Sequence, residues 1–199
     1  MIIGLLAYNS FYIKKLSEVK AAAPVAFDAA SFVQQLWKEQ LPARLNNAAG
    51  LDTVIAALHT QPDKAFEQYS NTLSIGNIRY SMIKATGRVL ALNEDEVTVL
   101  VACAGNPVVV KLNTEYIYGN AIRDASGLVN VKDFVNTMDL NNISGELNKH
   151  VRQEVLPAFK ASVQKQDSIA FTGAVELNKE HLKLDELSII PVQIKIIPR

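Results

Sequence analysis

Arg123 and Asp124 stand next to each other where an apolar, strand-like run ends. A guanidinium and a carboxylate at the mouth of a strand can hydrogen-bond a polar ligand bidentately. Adjacent residues on an extended chain point to opposite sides, so the two are not expected to pair with each other. The competing and stronger reading is structural: Asp124 caps the turn through backbone N–H groups, and Arg123 bridges to a segment such as Asp133 or Asn136. Tyr116 and Tyr118 alternate with Glu115 and Ile117 just before this pair, which places both rings on one face of an extended stretch. Two exposed aromatics can stack on sugar rings or bases. Packing beneath helices explains them equally well. A nucleic-acid platform would interleave basic side chains along the same face, and only Lys111 lies close by.

Other reactive side chains form no readable constellation. His59, His150 and His181 are far apart and lack neighbouring ligands at metal spacing. Cys103 is the single cysteine, so no internal disulfide can form, and its apolar neighbours favour a buried, inert thiol. No Ser-His-Asp arrangement, phosphate-cradling loop or paired-carboxylate motif is legible. The sequence therefore names no catalytic residue, metal ligand or cofactor, and a hydrolase or lyase is the least favoured functional class. Spatial constellations need not be close in sequence, so that class stays open. A formal net charge of zero gives no global field to draw nucleic acid or an anionic membrane.

The elements that position these residues are strands. Ile83, Ala85, Gly87, Val89 and Ala91 alternate with more polar positions, the period of a half-buried strand. Asn93–Glu96 is a polar turn whose acidic run reads as a solvated hairpin tip, and VTVLVACA after it is apolar on both faces. Gly105-Asn106-Pro107 breaks the chain before VVVKLN. A helix is predicted over about residues 140–163 from the stripe Ile143, Leu147, Val151 and Val155. SIAFTGAVEL and HLKLDELSIIPVQIKII then return as two strands around the turn at Asn178-Lys179-Glu180. Three strands, a helix and two strands, with Gly87 and Gly173 where a small barrel must bend, describe an α+β, mostly β oligonucleotide/oligosaccharide-binding (OB) fold: a five-stranded Greek-key barrel. The rival is an open antiparallel sheet with a helix across one face.

Upstream, residues 27–76 read as a small helical module and 77–199 as the barrel. Asp28 is the expected N-cap of an amphipathic helix carrying Phe32, Val33, Leu36, Trp37 and Leu41, which Pro42 bends or ends. Trp37, the lone tryptophan, is read as an interface anchor ahead of a sugar platform. Asp52 is expected to cap a short helix, and Pro62 to open another. Residues 1–26 begin with an apolar run and then meet Lys14-Lys15. The run is too short to span a membrane and lacks the positive charge that precedes a signal-peptide core. It reads as the C-terminal half of a signal anchor that starts upstream, and the alternative is an ordinary packed helix. No lipobox cysteine is present in it.

In KATGRV (Lys84–Val89), GNAIRDA (Gly119–Ala125), DFVN (Asp133–Asn136) and IIPV (Ile189–Val192), the chain resembles the bacterial family described as predicted periplasmic lipoproteins, from about Phe27 to Ile197. That family closes its third strand with glycine, a small polar residue and Ala-(Leu/Ile)-Arg-Asp-Ala. Here Asn120 holds the polar place. The resemblance implies an extracytoplasmic protein anchored in the inner membrane, often encoded near sugar-type ABC transporters, with no established activity. The missing lipobox departs from the pattern and favours a transmembrane signal anchor. The expected role is binding or accessory: Tyr116, Tyr118, Asn120, Arg123 and Asp124 would contact a sugar, another small polar ligand or a membrane transporter component, and nucleic acid is not expected. A structural accessory protein without a small ligand is the alternative.

Overall fold

The computed structural model describes residues 27–103 and 105–198. The expected signal anchor lies outside them. Among the described residues, no helix is long and apolar enough to cross a membrane.

The first helix among the described residues, α1 (Ala29–Glu39), starts where the sequence places it. The Asp28 carboxylate accepts from the backbone N–H of Ala30 and Ser31, each at 3.1 Å, and from the Ser31 hydroxyl at 2.6 Å. These hydrogen bonds, led by the hydroxyl, hold the Asp28 pKa below its ordinary value. The helix gives way at Gln40 to α2 (Leu41–Asn46), which accommodates Pro42 in its first turn because that N–H has no helical partner. Ala49–Gly50 then forms a two-residue strand, β1, beside Ile83 and Lys84. Helix α3 (Leu51–Thr60) follows with Gly50 as its N-cap, and Asp52, expected to be the cap, sits in the first turn without capping. Pro62 opens α4 (Pro62–Tyr69) as predicted.

The strands are β2 (Ile78–Leu92), β3 (Glu96–Val101), β4 (Val108–Asn113), β5 (Ser168–Asn178) and β6 (Leu187–Ile196). The hydrogen-bonded order β2-β3-β4-β6-β5 returns to β2, so this sheet closes into the expected barrel. Strand β2 makes closure possible by length: Ile78–Arg88 pair with β5, while Gly87–Leu92 pair with β3. The short β1 lies parallel to β2; around the barrel, pairings are antiparallel except β4–β6, which is parallel. That parallel closure needs the helical crossover between β4 and β5.

Glycines sit where strands crowd. A Cβ on Gly87 would lie 2.6 Å from Val99 Cγ1 and 2.7 Å from the Leu100 carbonyl oxygen. On Gly173, beside a register shift in β5, it would lie 2.6 Å from both Ile189 Cγ2 and the Ile190 carbonyl oxygen. Pro191 is tolerated inside β6 opposite that irregularity.

The crossover comprises α5 (Ala121–Ser126), a 3₁₀ turn (Val131–Asp133), α6 (Thr137–His150), a π turn (Val151–Val155) and α7 (Leu156–Ser162). A single helix over 140–163 is thus corrected to three pieces. Its start is fixed by Asn136, whose side chain accepts from the Asp139 N–H at 3.0 Å. Its middle widens ahead of Pro157, which lacks the N–H that the Gln153 carbonyl would take in an α-helix. The apolar stripe holds: Ile143, Leu147 and Val151 are fully buried.

Two apolar clusters divide these elements. Barrel-interior residues such as Val99, Val110, Ile169 and Ile189 pack with Leu51, Val54 and Leu58 of α3 and Phe66 of α4. Val33 and Leu36 of α1 pack instead with Ile122, Ile143, Leu147 and barrel residues Met82, Ala174 and Val192. Helices α1–α4 therefore bury their faces against the barrel and its crossover. Each fully buried Leu or Ile contributes about 1.5–3 kcal/mol.

Candidate functional site

Between β4 and α5 the chain runs from Thr114 to Asn120 outside helix and strand, with bends at both ends and Gly119 at a φ of 81°. Ile117 is buried, and Tyr116 and Tyr118 are 64 % and 72 % exposed, the alternation expected from the sequence. Three side chains of the crossover hold this segment from behind. Ser144 donates its hydroxyl to Asn120 Oδ1 at 3.3 Å, Asn148 Nδ2 donates to the Gly119 carbonyl at 2.9 Å, and Arg152 donates to the Ile117 carbonyl. The three are spaced by four residues, so they stand on one face of α6 and the π turn.

In front of the segment lies a groove of about 690 Å³, within the range of small-molecule sites. Tyr116, Tyr118 and Asn120 line one side. The β2–β3 turn supplies Asp95 and Glu96; the β5–β6 loop supplies His181, Lys183 and Glu186. Tyr80 and Glu176, register partners on β2 and β5, also line it. Burial, followed by the adjacent Glu176 carboxylate, pushes the Tyr80 phenol up to about 12, so at neutral pH it offers an O–H donor. Lys111 reaches across from β4, 3.7 Å from Glu96 and in contact with Glu186, and its ammonium pKa is raised mainly by the hydrogen bond to Glu186. It clamps the β3 end of the turn to the β5–β6 loop.

The acidic run at residues 94–96 is thus only partly a solvated tip: Asp95 and Glu96 face the groove, and the Asp95 carbonyl accepts from the Thr114 N–H at 2.8 Å. The stretch HLKLDE before β6 is loop where strand was expected. Asn178 Oδ1 accepts from the N–H groups of Glu180 and His181 and starts the turn, and Leu182 and Leu184 are partly buried against the barrel cluster. Nothing in a linear reading joins residues 80, 95, 176 and 183; register across β2, β5 and the loops does. The four-residue spacing of Ser144, Asn148 and Arg152 is the one local signal of this support, and it lies beside the more prominent apolar stripe.

Arg123 and Asp124 occupy a different environment. They lie on α5, 4 % and 1 % exposed. The expectation that they point apart is corrected, because the chain there is helical and not extended: Arg123 Nε donates to Asp124 Oδ1 at 2.7 Å. Arg123 Nη1 donates to the Leu140 carbonyl at 3.1 Å, not to Asp133 or Asn136, and Asp124 Oδ2 accepts from the Leu73 N–H at 3.5 Å. The pair ties α5 to the start of α6 and to the loop before β2.

His150 Nδ1 pairs with Glu154 at 3.0 Å, and its ring meets Trp37 edge-on with centroids 4.4 Å apart, so Trp37 is an interface anchor. Among the described residues, no group of three or more His, Cys, Asp or Glu could hold a metal ion. Cys103 is half-buried just past β3, and burial, then the charge of Asp52, raises its thiol pKa, which disfavours the reactive thiolate.

Comparison with known proteins places this architecture. The model of the family described as "Predicted periplasmic lipoprotein (DUF2291)" matches residues 1–195. The chain belongs to this family. Membership places the protein in the periplasm or cell envelope. A crystal structure of an OB-fold protein from Thermotoga maritima is similar with a TM-score of 0.74 at 24% identity, covering 87% of this chain and 100% of that one. That likeness shows the fold. No curated protein matches the chain.

Proposed function

We propose that this DUF2291 member is a membrane-tethered extracytoplasmic binding protein whose groove takes a neutral or amino sugar. One observation carries the reading: the groove lies between the β2–β3 turn and the β5–β6 loop, the two loops with which OB folds bind oligonucleotides and oligosaccharides. Its chemistry favours the second ligand. The Tyr116 and Tyr118 rings can cover the apolar face of a sugar. Asp95, Glu96, Glu176 and Glu186 accept from hydroxyl or ammonium groups, and these four carboxylates outnumber the two ammonium groups, Lys183 in the lining and Lys111 paired with Glu96 and Glu186, which disfavours phosphates. The resemblance to proteins encoded near sugar-type ABC transporters fits a role in delivering or sensing a transported sugar, with the N-terminal segment as inner-membrane tether.

The test is a thermal-shift panel on the full chain with neutral hexoses and pentoses, amino sugars, sugar phosphates and nucleotides. A ligand at a hundredfold its Kd adds about 2.7 kcal/mol. At about 2–4 °C per kcal/mol for a chain of this size, the melting point rises by roughly 5–11 °C. Neutral or amino sugars giving the rise support the reading; a rise with phosphates or nucleotides alone overturns it.

A further inference from the structure

We propose that the loop between α5 and α6 is a second membrane contact, an apolar foot that rests in the lipid interface beside the tether. This rests on the membrane-tethered reading above and adds which face of the domain meets the bilayer. Val135 is 98 % and Met138 69 % exposed, and Val131 is exposed as well. These are large apolar side chains held out to solvent on that loop and on the first turn of α6 beside it, on a molecule whose other apolar side chains are mostly packed.

Position says what they meet. Phe134, between two of them, packs edge-on against Phe27 with centroids 5.3 Å apart and against Phe32 at 5.6 Å. Phe27 is where the described chain begins, and the sequence N-terminal to it carries the apolar run MIIGLLAYNSFYI. The foot therefore stands at the root of the segment that would tether the domain. A fourth exposed apolar residue, Ile75, projects from the loop before β2, which is joined to α5 through Leu73 N–H and Asp124 and through Asn71 against Gly127.

The partner chemistry is hydrocarbon and not anionic headgroups. Lys132 is offset by Asp133 and Asp139 on the same stretch, so the loop has no basic excess to seek acidic lipid. Once a tether holds the domain near the surface, the local lipid concentration is high and a shallow insertion of two or three side chains suffices. The contact is accordingly insensitive to salt.

The experiment uses the full chain with Cys103→Ser, carrying one cysteine at Val135→Cys or Met138→Cys and labelled with an environment-sensitive fluorophore. Glu94→Cys on the β2–β3 turn is the control site. Each is mixed with neutral phosphatidylcholine vesicles, and co-sedimentation and emission are read on the same sample. The expected result is co-sedimentation of all three, with a blue shift at 135 and 138 that brominated acyl chains quench and high salt leaves intact, and no shift at 94. Co-sedimentation with aqueous emission at both loop sites overturns the foot while leaving the tether in place. Failure to co-sediment overturns the tethered reading and the foot with it.

Discussion

Replacing Arg123 by methionine tests whether the most chemically conspicuous pair in the chain is a fastener. Asp124, 1 % exposed, would lose the 2.7 Å hydrogen bond from Arg123 Nε and keep only the long 3.5 Å contact to the Leu73 N–H. A buried carboxylate stripped of its cation costs about 3–5 kcal/mol, whereas exchanging both members of a buried pair for apolar residues of similar volume is often neutral. At about 2–4 °C per kcal/mol, Arg123→Met should lower the melting point by roughly 6–20 °C. Arg123→Met/Asp124→Leu should recover much of that loss. Urea denaturation followed by circular dichroism on wild type, both single variants and the double variant gives the coupling energy directly. A single variant within about 1 kcal/mol of wild type, or a double variant as unstable as the sum of the singles, would refute the fastener.

Three further outcomes follow from local geometry. Gly173→Ala, and Gly87→Ala in parallel, press a methyl group into a backbone carbonyl at under 3 Å and should each cost about 1–3 kcal/mol by urea midpoint, and an unchanged midpoint would mean the barrel is looser there than described. The Tyr80 pKa is raised in the folded protein to about 12, above its ordinary value of 10.0, so its contribution to stability is complete below that ordinary value and is lost as pH climbs through the folded one. Ultraviolet titration of tyrosinate should show a late-ionising phenol that Tyr80→Phe removes; a variant that leaves the late step in place would refute the assignment to Tyr80. The loop fluorophores at 135 and 138 should enter neutral vesicles while that at 94 stays in water.

Strand order, barrel closure and the special status of Gly87 and Gly173, where neighbouring strands crowd, were legible because a period of two, a helical crossover and two glycines are local signals. The tyrosine alternation was legible for the same reason, since Ile117 between the rings has nowhere to go but inward. The Arg123-Asp124 pairing was not legible, because adjacent side chains diverge on an extended chain but become partners on a short helix. The split of the crossover at residues 151–155 was hidden because the apolar stripe runs through it without a break, and only Pro157 marks it. The groove itself was invisible. Its walls come from β2, β5 and two loops brought together by register, and its acidic lining from residues that singly read as solvated turns.

The most direct measurement is calorimetric titration of the sugar that gives the largest thermal shift into wild type and into Tyr116→Ala/Tyr118→Ala. Each ring contributes about 0.5–1.5 kcal/mol beyond area burial. The double variant should therefore bind roughly five- to 150-fold more weakly while melting where wild type does. Equal affinity in the two proteins, or no heat from any neutral or amino sugar with folded wild type, would contradict a sugar-binding groove.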